Sequence, residues 1–253
     1  MSKSTWILAA ALVLPGASAL AADPPGTVGR VFVNAPKPGM TAQYEAGRKR
    51  HMDWHRRQGD SWSWLTWQVE TGDRAGSYVV GTFGHGWKDL DEWEKKLGTA
   101  DEADAALNLV PFSAGQTNGI YNLLADVSKP TAGPTPSPMA EIITYQLNMG
   151  AEQEFRTAMK KVNEAIGKAG LDWHYFWYEL MDGGEHPSFV LAIAMNGWAD
   201  LAPSDPPFPA IISKAFGEYE AGEILKSIDR SVKSAHSEVI RYRADLSYVP
   251  AAK

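Results

Sequence analysis

The chain has 253 residues, 44% of them hydrophobic, with 30 acidic side chains against 24 basic ones and no cysteine. The net acidic balance argues against nucleic acid as a partner, and a chain without cysteine has neither a disulfide framework nor a thiol for a lipid anchor. Ten tryptophans point to a large packed core or to a cavity for a flat ligand.

At the start, Lys3 precedes an apolar run from Trp6 to Leu14, Pro15-Gly16 breaks it, and Ala19-Leu20-Ala21 supplies a small-x-small cleavage pattern. This predicts a signal peptide over residues 1–21 and export to the periplasm or beyond. The run is far shorter than the roughly twenty residues a membrane helix needs, so no membrane span is expected in the mature form. An extended stretch Val28–Asn34 follows, then a helix Thr41–Gln58 closed by Gly59, a glycine being the usual helix C-terminal residue. Strands Trp62–Glu70 and Ser77–Gly84 flank a glycine-containing turn, ahead of a helical region from Lys88 to about Leu109 and a strand Gly119–Leu124. Residues 129–138 carry four prolines, which disfavour helix and central strand, and read as a linker. The order then recurs: strand Ala140–Leu147, helix Ala151–Ala169 closed by Gly170, strands Trp173–Met181 and Pro187–Met195, a helical region Pro209 to about Ala235, and strand Glu238–Arg243.

Residues 28–90 lie over 139–201 without a gap, matching Gly39/Gly150, Gly59/Gly170, Trp62/Trp173, Gly72/Gly183 and Gly86-Trp87/Gly197-Trp198. The register resumes at Lys95/Lys214, Gly98/Gly217 and Ala125-Asp126/Ala244-Asp245, which leaves a proline-rich insert within 202–209 of the second copy. The domains expected are therefore a signal peptide (1–21), a first ferredoxin-like repeat (28–128), a linker (129–138) and a second repeat (139–248). Each copy reads β-α-β-β-α-β, the split βαβ unit. A sheet with helices on one face leaves its other apolar face uncovered, so the fold class expected is α+β, two tandem units packed sheet to sheet as a pseudo-dimer within one chain.

Through this element order and repeat the chain resembles the dimeric α/β-barrel superfamily in a tandem form. That superfamily includes haem-binding and chlorite-dismutase-like enzymes, cofactor-independent monooxygenases and NIPSNAP-like proteins. The resemblance implies the fold and carries no functional residue across, because fold alone does not fix function.

Side chains alternate along a strand. Ser63, Leu65, Trp67, Val69 with His174, Phe176, Tyr178, Leu180 form one set, assigned to the helix side. Trp62, Trp64, Thr66, Gln68, Glu70 with Trp173, Tyr175, Trp177, Glu179, Met181 form the other. The second set suits a cavity between the sheets, its rings as walls and Gln68 and Glu179 as polar anchors; the alternative is that the rings fill the interface. Glu179 among aromatic rings is expected to have a raised pKa or to pair with Arg241 or Arg243.

On the first helix His51 and His55 stand one turn apart, and Arg48, His51 and His55 replace Met159, Val162 and Ile166 of the second copy. The pair lacks the His-Glu-x-x-His pattern and a third ligand, so no metal is assigned from the sequence. A solvated or partly packed basic face is the reading, with acid-base or anion-binding work as the alternative; Arg56 and Arg57 are expected to lower the proton affinity of His55. His85, in Gly84-His85-Gly86-Trp87, is a polar residue at a flexible corner with the chemistry to ligate haem iron. Phosphate-loop, dinucleotide and serine-hydrolase motifs are absent. The ligand-binding set is thus Trp62, Trp64, Gln68, His85, Trp173, Tyr175, Trp177 and Glu179. The expected function is binding of a small hydrophobic or aromatic ligand between the sheets by a monomer or homodimer, with the cofactor unknown. The alternatives are a haem- or oxygen-dependent oxidoreductase, or a non-catalytic interaction module.

Overall fold

A computed structural model describes residues 26–131 and 135–251; the expected signal peptide lies outside them, as do linker residues 132–134. The first unit contains β1 (Val28–Pro36), α1 (Thr41–Gln58), β2 (Leu65–Val69), β3 (Tyr78–His85), α2 (Trp87–Trp93), α3 (Thr99–Asn108) and β4 (Ser113–Leu123). The second contains β5 (Met139–Leu147), α4 (Glu152–Ala169), β6 (Tyr175–Asp182), β7 (Ser188–Met195), α5 (Phe208–Phe216), α6 (Glu218–Ser231) and β8 (Val232–Tyr242). Within the units the strand orders are β4-β1-β3-β2 and β8-β5-β7-β6, all antiparallel, and β2–β8 and β4–β6 pairing joins their edges into one closed eight-stranded barrel. Closure satisfies the backbone groups that each sheet edge would otherwise expose.

The two units are images of one another in register as well as in order. Val31 pairs with Gly81 and Ile142 with Ala192; Val31 pairs with Gly119 and Ile142 with Glu238. The joining pairs match too, Trp67 with Tyr242 and Tyr178 with Leu123. Gly59 and Gly170 close α1 and α4 at φ 61° and 67°, a left-handed conformation that glycine adopts without Cβ strain.

The second half of each unit differs from the sequence expectation. The second helical region of each unit is broken, in the first by a π-helical turn Glu94–Gly98 and in the second at Gly217. Both closing strands also begin earlier than expected: β8 takes up 232–235, where the sequence reads as helix, together with 236–237, and seats His236 opposite Thr144. Pairing with β5 overrides a local sequence that lacks strand alternation.

The faces of β2 and β6 are the reverse of the expectation. Leu65, Trp67, Phe176 and Tyr178 point into the barrel, where with Phe83 and Val190 they line a cavity of about 340 Å³. Trp64 packs against Met52 and Trp54 of α1, and Trp177 against Phe155 and Met159 of α4. Period-two alternation separates two faces, but here both are covered, one by helices and one by the opposite wall, so neither carries the polarity that would orient it. Among the described residues no helix is long and apolar enough to cross a membrane.

Candidate functional site

The first unit buries a polar cluster where the second has an apolar core. Its centre is Asp60, just past the left-handed Gly59 that ends α1. The reversal at Gly59 turns the chain under the last helical turn, with Asp60 N donating to His55 O at 3.1 Å. The carboxylate is buried and accepts from four donors: His55 Nδ1 (2.9 Å), Trp64 Nε1 (2.9 Å), Trp93 Nε1 (3.2 Å) and the Trp62 amide (3.0 Å). Tyr248 Oη donates to the Asp60 carbonyl at 2.7 Å. Burial works to raise the Asp60 pKa, but these donors outweigh it and hold the group below the usual carboxylate range.

One turn earlier on α1, His51 Nδ1 meets Asp104 Oδ2 at 2.8 Å, and Asp104 Oδ2 also accepts from the Asn108 side-chain amide. The Nε2 atoms of both histidines then converge on Asp101 Oδ1, at 3.3 Å from His51 and 3.2 Å from His55. That oxygen is buried, and neither contact has hydrogen-bond geometry. Asp101 and Asp104 lie on α3, which follows Trp93 only after the π turn, a device that is frequent at functional sites. Among the described residues, His51, His55 and Asp101 present ligating atoms all within 4.8 Å of one another.

Arg48 completes the stripe. It is 4% exposed, its Nε reaches Thr66 Oγ1 and Leu246 O, and its Nη2 has no partner. A buried donor without an acceptor is costly. Arg48, His51, His55 and Asp101 line a pocket of about 280 Å³, walled also by Phe32 and Val80 and reaching the start of β4 at Ser113–Gln116. Burial, helped by Arg48, pushes the His51 pKa down to about 4. For His55 burial lowers the pKa, but Asp101 and Asp60 outweigh it and the net shift is upward.

The solvated or partly packed basic face expected for His51 and His55 is corrected toward packing: both are fully buried, at 4% and 1% exposure, while Arg56 and Arg57 are exposed. The neighbours that set the His55 pKa are carboxylates, so its proton affinity rises where a fall was expected.

The eight residues expected to share one ligand cavity belong to separate clusters outside the barrel. Trp62, Trp64 and His85 gather with Trp93 in the first unit, Trp62 stacking on His85 at 3.7 Å and on Trp93 at 5.3 Å between centroids. Trp173, Tyr175 and Trp177 pack beneath α4, and Glu179 pairs with Arg156 rather than with Arg241 or Arg243. Gln68 accepts from Arg243. His85 is buried at the end of β3, with Nε2 at 2.6 Å from Thr82 Oγ1, which corrects the flexible corner; burial lowers its pKa. Asp60, Trp93, Asp101 and Asp104 were not singled out from the sequence. Asp60 stands opposite Leu171 in the repeat and was legible as a polar residue on a core position. Asp101 and Asp104 stand opposite Glu220 and Glu223, and this match of acid with acid hid them.

Comparison of the fold with solved structures finds similar chains. A monooxygenase, described as putative, from Lactobacillus acidophilus NCFM aligns at TM-score 0.52 and 12% identity, over 91% of this chain and 99% of its own. An anthrone oxidase-like protein aligns at TM-score 0.55 and 7% identity, over 89% and 94%. A mutant chlorite dismutase from Candidatus Nitrospira defluvii aligns at TM-score 0.53 and 12% identity, over 87% and 92%. The fold is that of the dimeric α/β barrels. No protein-family model matches this chain, and no curated protein matches it. At these identities the barrel's likeness extends to the fold alone.

Proposed function

We propose that this protein is an exported oxidoreductase that takes a small organic anion, aromatic or apolar in its body, into the pocket between α1, α3 and the first sheet. The observation that carries this reading is the buried Arg48 Nη2 without a partner, in a pocket whose counterpart in the second unit is filled by Met159, Val162 and Ile166. An anionic oxygen satisfies that donor, while Phe32, Val80 and Trp64 supply apolar and flat walls. The reaction class is supported by the printed names of the fold's neighbours, and export by the pattern of residues 1–21. Tryptophan fluorescence titrated with benzoate, 4-hydroxybenzoate and 1-naphthoate tests it. At least one should bind saturably, and Arg48→Met should weaken it by about tenfold or more, the worth of one charge-assisted bond. Absence of binding, or equal binding by Arg48→Met, overturns the reading.

A second reading rests on the barrel cavity, whose lining of Leu65, Trp67, Phe83, Phe176, Tyr178 and Val190 suits an uncharged apolar ligand between the sheets. The dye N-phenyl-1-naphthylamine should brighten on binding there and lose binding in Ala192→Phe, which fills the space; unchanged binding in that variant removes the cavity from the account.

A further inference from the structure

We propose that His51, His55 and Asp101 form a mononuclear site for a divalent first-row transition-metal ion at the inner wall of the first-unit pocket. The inference deepens the pocket reading and rests on it for the site's purpose, though not for its geometry.

The hydrogen bonds fix the imidazole tautomers. Asp60 accepts from two indole N–H groups and a backbone N–H, which are donors only. His55 Nδ1, on the same carboxylate, is therefore a donor as well. His51 Nδ1 faces Asp104, an oxygen that already takes the Asn108 amide. With both Nδ1 atoms carrying a proton, the Nε2 atoms of both rings are left facing Asp101 Oδ1, which is itself buried and has no hydrogen-bond partner. Three ligating atoms this close are held together by a cation among them, either a proton on His55 Nε2 or a metal ion that replaces it.

Two of the three ligand-atom separations match those around a shared metal ion. Bonds of about 2.0–2.2 Å from nitrogen and oxygen ligands place neighbouring ligand atoms about 3.0–3.5 Å apart for angles between octahedral and tetrahedral, and the two Nε2 atoms lie 3.3 and 3.2 Å from Asp101 Oδ1. Each imidazole is also backed by a carboxylate on its far nitrogen, the arrangement that fixes ring orientation and raises ligand basicity at metal sites. Two imidazoles and one carboxylate make a ligand set for iron, cobalt, zinc or manganese rather than for calcium or magnesium. Charge agrees: Asp60, Asp101 and Asp104 set three carboxylates against the single guanidinium of Arg48, an excess that a dication neutralises. The remaining coordination positions open to the pocket that Arg48 lines. The second unit has Val162, Ile166 and Glu220 at the matching positions, and Glu220 is paired with Lys161, so the stoichiometry is one ion per chain.

The test is titration of chelator-treated full-length mature protein with Co²⁺, read by visible d–d absorption and by metal content after desalting. Wild type should bind one equivalent and gain thermal stability. Asp101→Asn, a near-isosteric change at a partly exposed side chain, and His51→Val, which installs the second unit's residue, should each weaken binding by about tenfold or more while their metal-free melting stays cooperative. No stoichiometric Co²⁺ binding by wild type, or an unchanged spectrum and stoichiometry in both variants, overturns the proposal. Benzoate titration of the metal-free protein separates the two readings. Benzoate binding without Co²⁺ binding sinks the metal site alone, and Co²⁺ binding without benzoate binding sinks the anion-pocket reading alone.

Discussion

Replacing Asp60 with alanine withdraws one acceptor from His55 Nδ1, Trp64 Nε1, Trp93 Nε1 and the Trp62 amide at once. Each buried donor left unsatisfied costs about 1–3 kcal/mol. Water entering the vacated space recovers part of that, which sets the expected loss at about 4 kcal/mol, a large share of the roughly 5–15 kcal/mol by which folded domains are stable. Asparagine keeps one acceptor oxygen but turns an amide toward the same donors, for a loss of about 2 kcal/mol. Urea unfolding followed by tryptophan fluorescence is the assay, since Trp62, Trp64 and Trp93 surround the site. With a slope of about 2–3 kcal/mol per molar urea, the Asp60→Ala midpoint should fall by about 1.3–2 M. Asp126→Ala, which removes an exposed ion pair with Lys160, serves as the control and should move it by a few tenths at most. A fall of less than about 0.3 M for Asp60→Ala would refute the claim that this carboxylate organises the cluster.

Trp177→Ala should cost about 3–5 kcal/mol, as large aromatic truncations in a core do, because the ring packs with Tyr145 and Phe155 outside the barrel. The same variant should keep its N-phenyl-1-naphthylamine affinity within twofold, and a tenfold loss would return the ring to the barrel cavity. Asp245 is held down at about 2 from an ordinary 3.8, chiefly by the Arg243 hydrogen bond and further by Lys49. A folded-state pKa below the unfolded one contributes stability that is present above the ordinary carboxylate value and lost as pH falls toward about 2. Carboxyl ¹³C titration should show the depressed midpoint and its return toward the ordinary value in Arg243→Ala; an ordinary midpoint in wild type contradicts the pairing.

Much of the fold was legible because it is written in repeated local signals. Glycines at left-handed positions such as Gly59 and Gly170 and runs of β-branched and aromatic residues mark the order of elements. The matched residue pairs between the two halves then point to the second sheet that one apolar face requires. Length of the closing strands was not legible, since 232–237 becomes strand only by pairing with β5. The orientation of β2 and β6 was hidden for a related reason: alternation divides Trp64 from Leu65, yet only closure of the barrel decides which of two covered faces looks inward.

The sequence by itself determined that α1 of the first unit differs from its partner, with Arg48, His51 and His55 where the second unit keeps Met159, Val162 and Ile166. Only the tertiary structure decided what that difference does. Asp60 reaches His55 through a chain reversal at Gly59, and Asp101 and Asp104 arrive from α3 after a π turn, contacts set by packing between helices far apart in sequence. A carboxylate forty-six residues from a histidine carries no local mark of its partner; the distance between them is set by how the helices settle on the sheet.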